Sequence, residues 1–218
     1  MINTAVRFDN LIKNHISPFL KTHGFKKKNL NYLDFSNEVS FIINFQKSHG
    51  CSWEENMFYI NYGFFIPKLR TNNEQLKAEW DCDNRFRISP NSEFQDTYGG
   101  TFSIKENNDI DKLGSFIIKE IESTIFPYFE RNKSSESALL FILDAGTLND
   151  RILFEYLLNN NRHFELSKYL NKVLNARAKQ TDEGSISANQ RYMTYLDNFF
   201  KPYNITLQDI LELQLGHV

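Results

Sequence analysis

The segment Met57–Ile66 reads Met-Phe-Tyr-Ile-Asn-Tyr-Gly-Phe-Phe-Ile. As a strand it places Phe58, Ile60, Tyr62, Phe64 and Ile66 on one face and Tyr59, Asn61, Gly63 and Phe65 on the other. Pro67 has no amide proton to give a sheet ladder, so it ends the segment. A strand with one face made wholly of large apolar side chains must bury that face against another layer. The chain supplies the material: 20 Phe and 10 Tyr among 218 residues. Aromatic side chains bury large areas, which allows a sizeable core and argues against global disorder.

The flanking sequence predicts that layer. A helix should open near Asn3 or Thr4, with Val6, Phe8, Leu11, Ile12, Ile16, Phe19 and Leu20 roughly on one face. Ser17 is expected to cap a second short helix opened by Pro18, giving a kink, and Gly24 to end it. Strands are expected over Asn29–Phe35, Val39–Phe45, Met57–Ile66, Ala78–Ile88 and Tyr98–Ile104. The short connections between them favour antiparallel pairing. A second long helix should begin near Asp109, where Ile110, Leu113, Ile117, Ile121 and Ile125 recur at helical spacing, with Pro127 breaking or kinking it. The fold class is therefore α+β: an antiparallel sheet of about five strands flanked by two long helices. The polar stretch Asn132–Ser135 marks a boundary, giving an α+β domain at 1–133 and a helical region at 134–218. Helical spacing there covers Ser137–Ala145, Leu148–Leu158, Phe164–Ala178, Ala188–Phe200 and Thr206–Leu215, with Thr206 as a cap. Gln180–Ser185 is expected to be a mobile loop.

Composition sets few limits on function. The formal net charge is −2, so no global field draws the chain to nucleic acid or repels it. Two cysteines, Cys51 and Cys82, are too few for a disulfide framework. The first residues, Met1–Arg7, show no basic and apolar leader pattern, and no apolar run approaches the length of a membrane span. A cytoplasmic location without membrane association is expected.

Several motifs resemble a known family. They are Leu20-Lys21-Thr22-His23-Gly24-Phe25-Lys26-Lys27-Lys28, Ile43-Asn44-Phe45-Gln46-Lys47-Ser48 and Phe58-Tyr59-Ile60-Asn61-Tyr62-Gly63, followed by Cys82-Asp83-Asn84-Arg85-Phe86-Arg87-Ile88 and Phe126-Pro127-Tyr128-Phe129. In this order they resemble the bacterial domain of unknown function numbered 4304, over about the first 130 residues. Members often carry paired tryptophans before the last strand, where this chain has Asp96-Thr97-Tyr98-Gly99-Gly100. The resemblance implies a fold and carries no catalytic residues with it.

Candidate sites come from charge placement. Lys26, Lys27 and Lys28 follow a helix end and enter a strand. They form either a phosphate-contacting patch, with Asn29 and Tyr32 in a groove for single-stranded nucleic acid, or a solvated edge that blocks strand aggregation; the edge is favoured. Asp81, Asp83, Arg85 and Arg87 alternate along the expected strand and should share one polar face, with Trp80, Cys82, Phe86 and Ile88 toward the core. Internal ion pairing on a solvent face explains the same alternation equally well. Gln46 and Lys47 sit at a strand end. They lack the acid-x-lysine spacing of metal-dependent nucleases and read better as a polar strand end. His49, Cys51 and Cys82 are zinc-capable without a paired-cysteine motif, so neither metal nor cofactor is expected. Gly99-Gly100 lacks phosphate-loop spacing, and His15, His23, His163 and His217 show no catalytic constellation.

The expected function is a non-enzymatic, intracellular interaction protein with a protein partner, in a bacterial defence or toxin-neutralisation setting suggested by analogy of size alone. A nucleic-acid-binding module built on the basic residues, and a metal-assisted hydrolase, are the alternatives. Self-association is left open.

Overall fold

The computed structural model describes residues 4–96 and 100–213. Two compact units divide the chain, Met1–Leu148 and Asn149–Val218. The first is α+β. Helix α1 (Thr4–Leu11) and α2 (Ser17–Thr22) lead into strands β1 (Lys26–Lys28), β2 (Asn31–Asp34), β3 (Ser40–Lys47), β4 (Glu55–Phe65), β5 (Asn84–Ile88) and β6 (Phe102–Lys105). Helices α3 (Ile110–Glu120), α4 (Phe126–Arg131) and α5 (Ser135–Ala145) follow.

All six strands pair antiparallel in the order β1-β2-β3-β4-β5, and β6 joins the same edge of β4 beyond β5. The lysine run and the Asn29–Phe35 segment form one hairpin. Lys28 pairs with Asn31 across a two-residue turn in which Asn29 takes φ 57°, a left-handed value asparagine tolerates. Register then fixes the faces. Phe41, Ile43 and Phe45 of β3 lie opposite Phe64, Tyr62 and Ile60 of β4, on the side of the helices. Phe8 of α1 meets Phe58 edge-on at 5.1 Å, and Phe129 of α4 stacks on Phe41 at 4.3 Å. Each such ring contributes about 2–3 kcal/mol by burial, which is why the aromatic alternation dominates the architecture.

Neither long helix breaks at its proline. A π-turn, Ile12–Ile16, joins α1 to α2, and a second, Ile121–Ile125, joins α3 to α4. The Ser17 amide reaches back to the Ile12 carbonyl and the Phe126 amide to that of Ile121. The widened turn just ahead of Pro18 and Pro127 accommodates a residue that cannot donate. Ser17 consequently does not cap. Its hydroxyl bonds the Tyr32 hydroxyl at 2.7 Å and accepts from Lys27 Nζ at 3.0 Å. Asp109 does cap α3, accepting the Lys112 amide at 3.0 Å.

The expected strand Ala78–Ile88 is half strand. Glu79–Asp81 forms a 3₁₀ turn because the Asp81 carboxylate takes the Lys77 and Ala78 amides, each at 3.0 Å. Of the expected strand Tyr98–Ile104, Tyr98 and Gly99 lie outside the described residues, and the paired segment is β6. Helix α5 belongs to the first unit. Its Phe141 contacts the rings of Phe64, Phe86 and Tyr128, and the amide of Ser135 at its first turn donates to Glu38.

The second unit is helical: α6 (Asp150–Asn159), α7 (His163–Ala178), α8 (Glu183–Phe200) and α9 (Leu207–Glu212). Asp150 accepts hydroxyls from Tyr169 of α7 and Tyr192 of α8, both at 2.8 Å. Thr206 caps α9 through the Asp209 amide. No helix of the described residues is long and apolar enough to cross a membrane.

Candidate functional site

The sheet face turned away from the helices is divided between a covered half and an open half. On the covered half, Leu33, Ile42 and Phe65 pack with Leu76 and Cys82 of the connection between β4 and β5. That connection is pinned by Asp83, which is buried. Its carboxylate accepts the Ile66 amide at 2.8 Å and pairs with the buried Arg70 guanidinium at 2.7 Å. Burial pushes the Asp83 carboxyl above its ordinary range, and Arg70 and the Ile66 amide oppose that rise. Arg70 also lies over the Phe65 ring at 4.2 Å.

The open half carries a polar row that crosses five strands. Lys28 pairs with Asn31, Asn31 with Asn44, Asn44 with Asn61, and Asn61 with Arg87. At the spacing of adjacent strands the row is roughly 19 Å long. Its side chains form a chain of hydrogen bonds. Asn44 Nδ2 donates to Asn31 Oδ1 at 2.6 Å, and Asn61 Nδ2 donates to Asn44 Oδ1 at 3.1 Å and to Gln46 Oε1 at 3.0 Å. Arg87 Nε donates to Asn61 Oδ1 at 3.0 Å, and its guanidinium lies 3.8 Å from the Tyr59 ring centroid. Asn44 and Asn61 are buried in the row, whereas Lys28, Gln46 and Arg87 are exposed at its margins. Buried amides that satisfy one another hold their exposed neighbours in fixed positions.

Gly63 explains how β5 comes close enough to complete the row. A Cβ there would meet the Asn84 carbonyl oxygen at 2.3 Å, so only glycine admits β5 at this register.

The four positions of the alternating Asp–Arg motif separate. Asp81 is committed to its turn and Asp83 to Arg70; both lie before the strand. Only Arg85 and Arg87 share the open face, because the chain turns between the acids and the arginines. Trp80 is 73% exposed rather than in the core. Cys82 is buried on the covered half, and Ile88 is buried on the helix side. Phe86 is also on the helix side, partly exposed, with its ring against Tyr62 and Tyr128.

The lysine run also divides. Lys26 and Lys28 face away from the helices, Lys26 opposite Leu33 of the covered half and Lys28 opposite Asn31 of the polar row, while Lys27 faces the helix side with Tyr32. Tyr32 is buried and its hydroxyl is engaged by Ser17, so its ring offers no stacking platform beside the lysines. Lys47 likewise points to the helix side, 4.7 Å from the Phe8 ring and 3.6 Å from Asp9. None of the ion pairs among the described residues involves Lys26, Lys28, Arg85 or Arg87. Lys28 and Arg87 thus end the polar row, and Lys26 and Arg85 stand exposed at the two ends of the adjoining row through Leu33, Ile42 and Gly63, none of the four in an ion pair among the described residues.

The zinc-capable residues do not converge. Cys51 bonds the Met57 backbone in the β3–β4 connection, and Cys82 lies buried on the covered half with its thiol pKa pushed up by burial. Among the described residues, no three His, Cys, Asp or Glu side chains could hold a metal ion. Gly99 and His217 lie outside the described residues.

The family model for a domain of unknown function, DUF4304, matches residues 16–131. The chain belongs to that family. The DUF4304 match begins in the first π-turn, ends with α4, and contains the whole sheet with every candidate residue on it. No curated protein and no solved structure matches the chain.

Sequence reasoning assigned no site role to Asn31, Asn44, Asn61 or Tyr59. Two asparagines in otherwise apolar strands, each on the face opposite the aromatic one, were the available signal. Only register shows that they are neighbours.

Proposed function

We propose that this DUF4304 protein is a non-enzymatic binding module of the cytoplasm that holds the acidic surface of a protein partner on the open half of its sheet. The observation carrying this reading is the row Lys28–Asn31–Asn44–Asn61–Arg87, with the exposed cations Lys26 and Arg85 at the ends of the row beside it. Arginine binds carboxylates in a bidentate manner, and Arg87 is already oriented by Asn61 and Tyr59, so little freedom is lost when it engages. The amides give directional partners and the cations give charge complementarity, a combination that sets specificity and association rate.

Single-stranded nucleic acid is the second reading, favoured by the same exposed cations. It needs rings on which bases can stack. The open half offers Tyr59, which Arg87 already covers. That scarcity is why a protein partner is preferred.

The test is paired affinity capture from the native host. The wild type is compared with the triple variant Lys26→Glu, Lys28→Glu and Arg85→Glu. Among the described residues these side chains make no ion pair, so each substitution should change stability by no more than about 0.5 kcal/mol. The expected result is a nuclease-resistant protein partner captured by the wild type, weakened by salt and lost with the variant. Equal capture by both forms contradicts the reading. Loss of capture on nuclease treatment, with direct oligonucleotide binding at low salt, replaces it with the second.

A further inference from the structure

The two proline-linked π-turns bring the ends of their helices together on the helix side of the sheet, away from the polar row. Phe19 of α2 stacks on Phe126 of α4 at 5.9 Å, and Phe126 also stacks on Phe25 at 6.2 Å. Between these helix ends and the turn joining β2 to β3 lies a pocket of about 310 Å³. Phe25, Phe41, Phe126 and Phe129 form its walls, and Asp34 and Glu130 stand among the polar residues that line it. Its volume is at the small end of ligand pockets, suited to one side chain.

The chemistry of the lining selects the occupant. Aromatic faces carry negative charge density and attract cations. Glu130 is neutralised by Lys133, which also lines the pocket, at 2.9 Å. Among the described residues Asp34 has no ion-pair partner; its Oδ1 accepts the Ser36 amide at 2.9 Å. One carboxylate is thus left uncompensated beside four phenylalanines. A planar guanidinium matches both features, because it stacks on rings and forks onto a carboxylate, whereas an ammonium does only the second well.

We propose that this pocket receives an arginine side chain of a protein partner, as a binding site separate from the open face. The full chain, labelled for NMR, is titrated with the blocked tripeptide acetyl-Gly-Arg-Gly-amide and with the same peptide carrying norleucine. Agmatine serves as a free guanidinium. The arginine peptide should bind saturably below about 20 mM, shifting Phe25, Asp34, Phe41, Phe126 and Phe129 and sparing Asn44, Asn61 and Arg87. Asp34→Asn keeps an acceptor for the Ser36 amide, so the fold should persist while affinity falls about tenfold. Arg85→Gln, on β5 and away from the pocket lining, should leave peptide binding unchanged, which separates this site from the open face. Equal binding of the norleucine peptide, no effect of Asp34→Asn, or no shifts at all would overturn the proposal. Agmatine binding as tightly as the peptide would also overturn it, by making the ligand a small molecule.

Discussion

Asn61 makes three side-chain hydrogen bonds from a position that is 2% exposed. Replacing it by leucine leaves Asn44 Oδ1 and Arg87 Nε without partners and inserts an apolar group between them. An unsatisfied buried polar group costs about 1–3 kcal/mol, so Asn61→Leu should lower the free energy of unfolding by about 2 kcal/mol in a denaturant titration. A neutral result would show that the amides are hydrated rather than mutually bonded. Gly63→Ala tests the neighbouring constraint: the added methyl must displace β5, at a cost of about 1–3 kcal/mol, moving the backbone resonances of Arg85 and Arg87 while leaving α3 unchanged. At this scale the aromatic face of β4 was legible, because period-two alternation is local. The asparagine row was not, because two strand registers, β2 on β3 and β3 on β4, create it. Likewise Asp81 and Asp83 looked equivalent to Arg85 and Arg87 until backbone amides and Arg70 claimed them.

At the scale of elements, helix and strand positions followed from spacing, while connections depended on tertiary partners. Pro18 and Pro127 announced irregularity but not its form. A π-turn preserves a nearly continuous helix packed on the sheet, and a sequence does not show which carbonyl an amide will choose. The first turn of α5 offers a pH test. Glu38, exposed before β3, accepts the Ser135 amide at 2.9 Å, and this bond lowers the carboxyl pKa below its ordinary value. The folded pKa therefore lies below the unfolded one. The bond's stabilisation is fully present above the unfolded value and is lost as pH falls through the folded value. A carbon-detected titration of the Glu38 carboxyl should give a midpoint below that of an unstructured glutamate, and amide exchange at Ser135 should accelerate below it. A midpoint at or above the ordinary glutamate value would contradict this arrangement.

At the scale of the molecule, strand alternation and helical spacing pointed correctly to an α+β sheet followed by helices, while the boundary came from a polar stretch. It placed α5 with the later helices because Asn132–Ser135 looks like a linker. In the fold that stretch is a short turn, and the chain remains tied to the sheet as far as Leu148. Asn84 Nδ2 donates to the Gly146 carbonyl at 3.1 Å, and the Leu148 amide and Thr147 hydroxyl donate to the Asp83 carbonyl. A chain ending at residue 133 exposes the rings of Phe64, Phe86 and Tyr128 that Phe141 covers. It should therefore be less stable than one ending at 148 by about 3 kcal/mol or more, measured by denaturant unfolding of both. Equal stability would make α5 dispensable to the sheet.

The open half of the sheet as a partner-binding surface is tested most directly by hydrogen exchange and side-chain footprinting of the captured complex against the free protein. Protection should appear at Lys28, Gln46, Tyr59, Arg85 and Arg87, with the exposed faces of α3 and α8 unchanged. Protection confined to the helices, with those five residues as accessible as in the free chain, would contradict the account.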